Sequence, residues 1–138
     1  MAIIPSTSDL EDALIKAVAD LGLFLYVASV GRDKPPVMLN FPAAMVFFTG
    51  DQDLGNVPRP VRRASFTVAV LAKNLTNEKA AADAGYALID AVRDAVHGSV
   101  LGLACTSKWT CSSRRFMDYQ AGIVTYAIEF TVDAYLAV

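Results

Sequence analysis

The sequence has little of what catalytic and exported chains are usually built on. Its 138 residues include two cysteines, one histidine and one tryptophan. Cys105 and Cys111 are too few for a disulfide framework or a thiolate zinc site, and they are expected as reduced structural thiols. Neither phosphate-cradling glycine pattern, GxxxxGKS/T or GxGxxG, occurs. The opening MAIIPSTSD has no cationic segment, and the longest apolar run, Leu21 to Val30, is far short of the ~20 residues that span a bilayer. The expectation is a soluble chain without an export signal or membrane contact. A formal net charge of −2 removes any global drive toward nucleic acid, so a basic function would have to be local.

The carboxylates and the lone imidazole do not assemble into a motif either. His97, with no HExxH and no second histidine, is expected to sit at a helix C-terminus, where an imidazolium meets the dipole favourably. Asp90 and Asp94 are one helical turn apart with Arg93 between them, which reads as a solvated face rather than a metal site. Asp51 and Asp53 lack the further ligands of an EF-hand loop. Asn74-Leu75-Thr76 matches a glycosylation sequon, read as chance without a secretion signal. No cofactor, metal or catalytic residue is expected, and the chain is not read as an enzyme.

Apolar residues, by contrast, are in excess. They make up 54% of the chain without counting glycine, against the usual ~45–50% that includes it. One small domain covering 1–138 has trouble hiding that much, so sheet faces must be covered or surface must be buried between subunits.

The periodicities give seven elements. In Asn77 to Gly98 the apolar residues Tyr86, Leu88, Ile89, Val92 and Val96 mark one face of a core helix. Asn77 suits its N-cap, Gly98 its C-terminal end, and Gly85 marks close packing or a slight break. An earlier helix is expected from a capping box at Ser8-Asp9-Leu10-Glu11, with Leu10, Leu14, Ile15, Val18 and Leu21 buried and Gly22 as the stop. Leu23 to Val30 and Ala43 to Thr49 read as strands. The second, apolar without alternation, is expected to be central and covered on both faces. Gly31 to Pro42 reads as a loop, and Gly50 to Ala64 as a long polar connection.

Ser65 to Lys73 alternates as a third strand, with Phe66, Val68 and Val70 on one face. Lys108 to Tyr119 and Ile123 to Leu136 form a hairpin through Tyr119-Gln120-Ala121-Gly122. Val124, Tyr126, Ile128, Phe130 and Val132 are expected to pack on the Tyr86 to Val96 helix. The order α-β-β-β-α-β-β predicts an α+β fold, with two helices on one face of a mainly antiparallel sheet of about five strands.

What remains is basic and local. Arg59, Arg62 and Arg63 fall in the long connection, and Arg114 and Arg115 in the first strand of the hairpin. They read first as solubilising edge charge and second as contacts to an acidic partner or a phosphate backbone, a reading that arginine's forked donors keep open.

A series of marks in order along the chain gives a resemblance. It runs from Leu10-Glu11-Asp12-Ala13-Leu14-Ile15 through Gly22-Leu23-Phe24, Phe41-Pro42-Ala43 and Phe66-Thr67-Val68. Lys73-Asn74-Leu75, Gly85-Tyr86, Val96-His97-Gly98 and Leu101-Gly102-Leu103 follow, and the last mark is Ile123-Val124-Thr125-Tyr126-Ala127-Ile128-Glu129-Phe130. With these the chain resembles the tail-terminator group of small tail proteins of Mu-like bacteriophages.

That resemblance implies a non-enzymatic structural role in a phage or prophage: a homo-oligomeric ring, commonly a hexamer, that caps the tail tube, stops its growth and joins it to the head. The implied partners are the tail-tube protein, a head-tail connector and, without sequence preference, the DNA in the lumen. The implied location is the virion tail, assembled in the bacterial host cytoplasm. Other head-tail connector or neck proteins, or a small cytoplasmic α+β ligand-binding domain, are the alternatives.

Overall fold

A computed structural model describes residues 5–33, 39–55, 61–73 and 78–135. Its elements are α1 (Thr7–Asp20), β1 (Tyr26–Ser29), β2 (Ala43–Asp53), β3 (Val61–Lys73), α2 (Glu78–Val96), β4 (Thr110–Gln120) and β5 (Ile123–Tyr135). The five strands form one sheet in the order β1-β2-β3-β5-β4, with β1 parallel to β2 and the remaining neighbours antiparallel. This is the expected α+β fold. Asn77, the sequon at 74–76 and Leu136 lie outside the described residues.

The first helix begins two residues earlier than its sequence suggests. Ser6, not Ser8, is the N-cap: its Oγ accepts from the Asp9 N–H at 3.1 Å, and Asp9 Oδ2 accepts from the Ser6 N–H at 3.2 Å. Glu11, released from capping, turns inward. It is buried, accepts from the Ser29 hydroxyl of β1, and lies 3.8 Å from Arg32, which also bonds Asp12 at 2.9 Å. A charged group taken out of water needs such partners, and they tie α1 to the β1 edge. Ser6→Ala should therefore cost about 1 kcal/mol, while Ser8→Ala, at an exposed helical position, should stay within about 0.5 kcal/mol. Urea denaturation of the two variants separates them.

β3 occupies the centre of the sheet, where β2 was expected. Phe66, Val68 and Val70 are fully buried on the helix-covered face. β2 is closed on both faces only at its start, where Ala43 and Ala44 are both at 0% exposure, and it opens to solvent beyond Phe47. It also runs much further than its apolar stretch. Asp53 pairs with Arg62 and Gln52 with Arg63, so most of the expected polar connection is hairpin arm, with only 54–60 left between the strands. The β2 arm is open to water from Phe48 on, which selects polar side chains without ending the strand, while the facing 61–64 of β3 is held by β5, and a register shift after Phe48 breaks the alternation.

α2 buries Ala81, Ile89, Val92 and Val96, whereas Tyr86, expected on this face, is 52% exposed. Gly85 provides the contact instead. A Cβ there would lie 2.6 Å from Cε2 of Tyr126 on β5, so the missing side chain is what lets the strand approach. The close-packing reading of Gly85 holds.

Val124, Tyr126, Ile128, Phe130 and Val132 of β5 are all buried in one cluster with Ile89, Val92 and Val96 of α2, as their alternation requires. The β4–β5 turn places Ala121 and Gly122 at φ 53° and 79°. Both central residues are left-handed, as in the tight turn that matches strand twist. Trp109, just before β4, is the largest fully buried side chain, tilted against Phe66 at 5.6 Å between ring centroids.

Candidate interaction surface

The five arginines singled out by sequence are not gathered into one patch. Arg59 lies outside the described residues. Arg62 and Arg63 belong to β3, which corrects the expectation that the long connection carries them. Arg62 is mostly buried and staples the N-terminal segment to the sheet, donating to Thr7 Oγ1 at 3.0 Å, to the Pro5 carbonyl at 3.1 Å and to Asp51 at 3.5 Å. Its neighbour alternates to the opposite face, where Arg63 bonds both carboxylate oxygens of Asp133 at 2.8 and 3.2 Å. That bidentate pairing raises the Arg63 pKa above its ordinary value.

On β4, Arg114 reaches Asp90 of α2 at 2.9 Å and Arg115 lies 3.3 Å from Glu129 of β5. Asp90 is thus a clasp between helix and edge strand. Its helical neighbour Asp94 meets Arg93 at 3.3 Å. His97 follows directly on the end of α2, where its sequence places it, and its Nδ1 accepts from the Cys111 N–H at 3.0 Å, a bond that ties the end of α2 to the start of β4. Cys105 and Cys111 are free thiols, and partial burial pushes the Cys111 thiol up. Among the described residues no group of three His, Cys, Asp or Glu could hold a metal ion, and no helix is long and apolar enough to cross a membrane.

A concavity of about 480 Å³ lies between α1 and residues 101–104, another of about 270 Å³ lies beside Arg63 and Asp133, and two more are lined in part by β4. A polar groove of about 350 Å³ crosses the helix-free face of the sheet, lined by Asp51, Gln52, Arg63, Ser65, Ser112 and Glu129. An aromatic socket of about 190 Å³ lies between α2 and β4, lined by Ala82, Tyr86, Phe116, Tyr119, Val124 and Tyr126. Tyr126 packs against Tyr86 at 5.7 Å and edge-on to Phe116 at 6.0 Å. Burial, then its bond to Tyr86, pushes the Tyr126 hydroxyl up to about 12.

Of the nine large apolar side chains left in solvent among the described residues, six lie at the two edges of the sheet, and Phe48, Leu54 and Val100 lie elsewhere. Leu23, Leu25 and Val30 flank β1, while Phe116 and Met117 stand on β4 with Tyr86 beside them. Sequence reasoning missed this pair of edges. The signal available was Arg114-Arg115-Phe116-Met117-Asp118, which breaks the alternation of its strand; the register of β4 shifts between Phe116 and Asp118.

Comparison with known proteins places this geometry. No curated protein matches the chain. A chain of the "Virion of native gene transfer agent (GTA) particle" superposes with a TM-score of 0.62 at 14% sequence identity, covering 91% of this chain and 94% of that one. At that identity the likeness establishes a shared fold. A family model described as Gp37 protein matches residues 28–137, from within β1 to past the end of β5. With well over half of its length matched, the chain belongs to the Gp37 protein family.

Proposed function

We propose that this chain is a non-enzymatic structural protein of a phage-type virion, and specifically a tail terminator: a ring of identical subunits, six by the resemblance noted in its sequence, that caps the tail tube and forms the joint to the head. The observation that carries this reading is the fold shared along almost the whole length with a chain of an assembled virion particle. The apolar side chains exposed at both sheet edges support it, because exposed apolar patches of this kind mark surfaces that are covered in an assembly. The setting is then the virion tail, assembled in the host cytoplasm, with the tail-tube protein and a head-tail connector as neighbours.

The arginines divide within this reading. Arg62 is a structural staple, so Arg62→Ala should lower stability by about 1.5–3 kcal/mol, the range for hydrogen bonds to a charged group. Arg63, Arg114 and Arg115 occupy exposed ion pairs that contribute little to stability. They keep donors for an acidic partner surface or for DNA in the lumen, as Arg59 would. Arg114→Ala with Arg115→Ala should therefore leave the unfolding midpoint nearly unchanged and lower the yield of joined particles.

The test of the whole reading is to delete the gene from the phage or prophage that carries it and supply it in trans. Tails of uncontrolled length, or finished tails unattached to heads, are expected without it. Normal particles in its absence would end the proposal. Particles with tails of normal length that remain unattached to heads would favour a connector or neck protein instead. If DNA retention by wild-type particles falls steeply with salt and the double arginine variant flattens that dependence, the contact is to DNA, because each phosphate contact removed takes its counterion release with it.

A further inference from the structure

The strand order puts β1 and β4 at opposite ends of one sheet, and the two ends differ in shape. At the β4 end the aromatic socket of about 190 Å³ is walled by Tyr86, Phe116 and Tyr126. It is smaller than the ~300–1,000 Å³ of small-molecule sites, and is scaled to a side chain. It is also preformed, because Tyr126 is buried and its ring is held between Tyr86 and Phe116. At the β1 end Leu25 projects with 71% exposure, while its N–H, donating to the Pro42 carbonyl at 2.8 Å, fixes its place beside β2.

We infer that the occupant of the socket is Leu25 of a second copy of this chain, so that copies join head to tail, the β4 edge of one against the β1 edge of the next. The inference rests on the proposed ring and names its joint.

Charge favours this pairing over the symmetric one. α1, which packs over β1 and β2, exposes Asp9, Asp12 and Asp20 against Lys16 and the Arg32 that pairs with Asp12, its Glu11 being buried, whereas β4 carries Arg114 and Arg115 against Asp118. Asp90 and Glu129 already hold the two arginines within the chain. Their side chains nevertheless remain 41% and 58% exposed, and a guanidinium offers five donors, so each keeps capacity for a second carboxylate. Joining two β4 edges would instead bring arginine pairs together, and like charges across strands are destabilising. β4 also carries two register shifts, which twist an edge away from simple strand addition and leave side chains to make the contact. A head-to-tail contact uses two different surfaces of every copy, so it closes into a ring or continues as a filament.

The test uses the full chain and sedimentation in solution. The wild type should form a closed oligomer. Leu25→Asp alone and Phe116→Asp alone should each leave monomers, since every copy then lacks one of its two surfaces. Mixed in equal amounts, they should form dimers and nothing larger, because the socket of the first can still take Leu25 of the second while both remaining surfaces are blocked. Tyr86→Asp serves as a second socket variant should Phe116→Asp fail to fold, as judged by circular dichroism.

A monomeric wild type overturns the inference. So does a Leu25→Asp chain that assembles like the wild type, the result a symmetric β4 contact gives, or a mixture that stays monomeric. The tail reading fails separately: if the variants sediment as expected yet complement the gene deletion fully, the joint stands and the role in the tail falls.

Discussion

Replacing Trp109 with alanine should cost about 3–5 kcal/mol, the range for removing a large aromatic from a core. Such a loss is a large share of the ~5–15 kcal/mol that holds a domain folded. The side chain is completely buried and its ring packs on Phe66, itself at 0% exposure in the central strand. The backbone around it is fixed as well: the Trp109 N–H donates to the Ser99 carbonyl and its carbonyl accepts from the Gly98 N–H, both at 2.7 Å. Those bonds hold the segment after α2 in place, so the surroundings cannot collapse freely into the space an alanine leaves.

The indole Nε1 has no hydrogen-bond partner among the described residues, so the loss is one of packing rather than of a polar bond. Trp109→Phe should for that reason cost well under half as much. Urea denaturation followed by circular dichroism, at one fixed protomer concentration because assembly adds to apparent stability, measures both variants. A Trp109→Ala loss below about 1 kcal/mol would contradict a tightly filled core at this position.

Gly85→Val should destabilise by about 3 kcal/mol. In an ordinary helix interior, replacing glycine with alanine gains about 1 kcal/mol. Here the added Cβ would meet Cε2 and Cδ2 of Tyr126 at 2.6 and 3.0 Å and Cγ1 of Val124 at 3.3 Å. Tyr126 cannot swing away, since its ring is buried between Tyr86 and Phe116. Overpacking of this kind costs about 1–3 kcal/mol, so for alanine the clash outweighs the propensity gain by about 1 kcal/mol, and valine adds two methyl groups to the same contact.

The control is a double-mutant cycle with Tyr126→Ala. With the ring gone, Gly85→Ala should become neutral or stabilising by up to about 1 kcal/mol. An equal cost in both backgrounds would show that the helix itself, rather than its approach to β5, requires the glycine.

These two positions also mark where sequence reasoning succeeded and where it stopped. Gly85 reads as a blemish that signals close packing, which it is, but the same reading places Tyr86 on the buried face. A helical stripe says which residues share a side, not which neighbour fills the gap, and here Tyr126 of β5 fills the space that Tyr86 was expected to take. The capping box failed similarly. Ser6-x-x-Asp9 and Ser8-x-x-Glu11 are both plausible starts, and the choice is settled by Glu11 finding Ser29 on a strand 18 residues away. For the arginines, the polar run Gly50 to Ala64 looks like a loop because water selects the same residues for the exposed arm of β2. Pairing on both sides, Arg62 with Asp53 and Ala134 and Arg63 with Gln52 and Asp133, shows that they are strand residues.

The sequence by itself determined the order of helices and strands, the hairpin at Ala121-Gly122 and the buried alternation of β5. Those are local: periods of 2 and 3.6 and turn chemistry act within a few residues of the chain. Tertiary structure alone decided which strand is central, which strands are edges, and therefore which apolar residues stay in solvent. Strand order depends on long-range pairing between segments such as β3 and β5, whose partners lie some 50 to 74 residues apart in the chain. That separation is why the edges carrying Leu25 and Phe116 became visible only once the sheet was assembled.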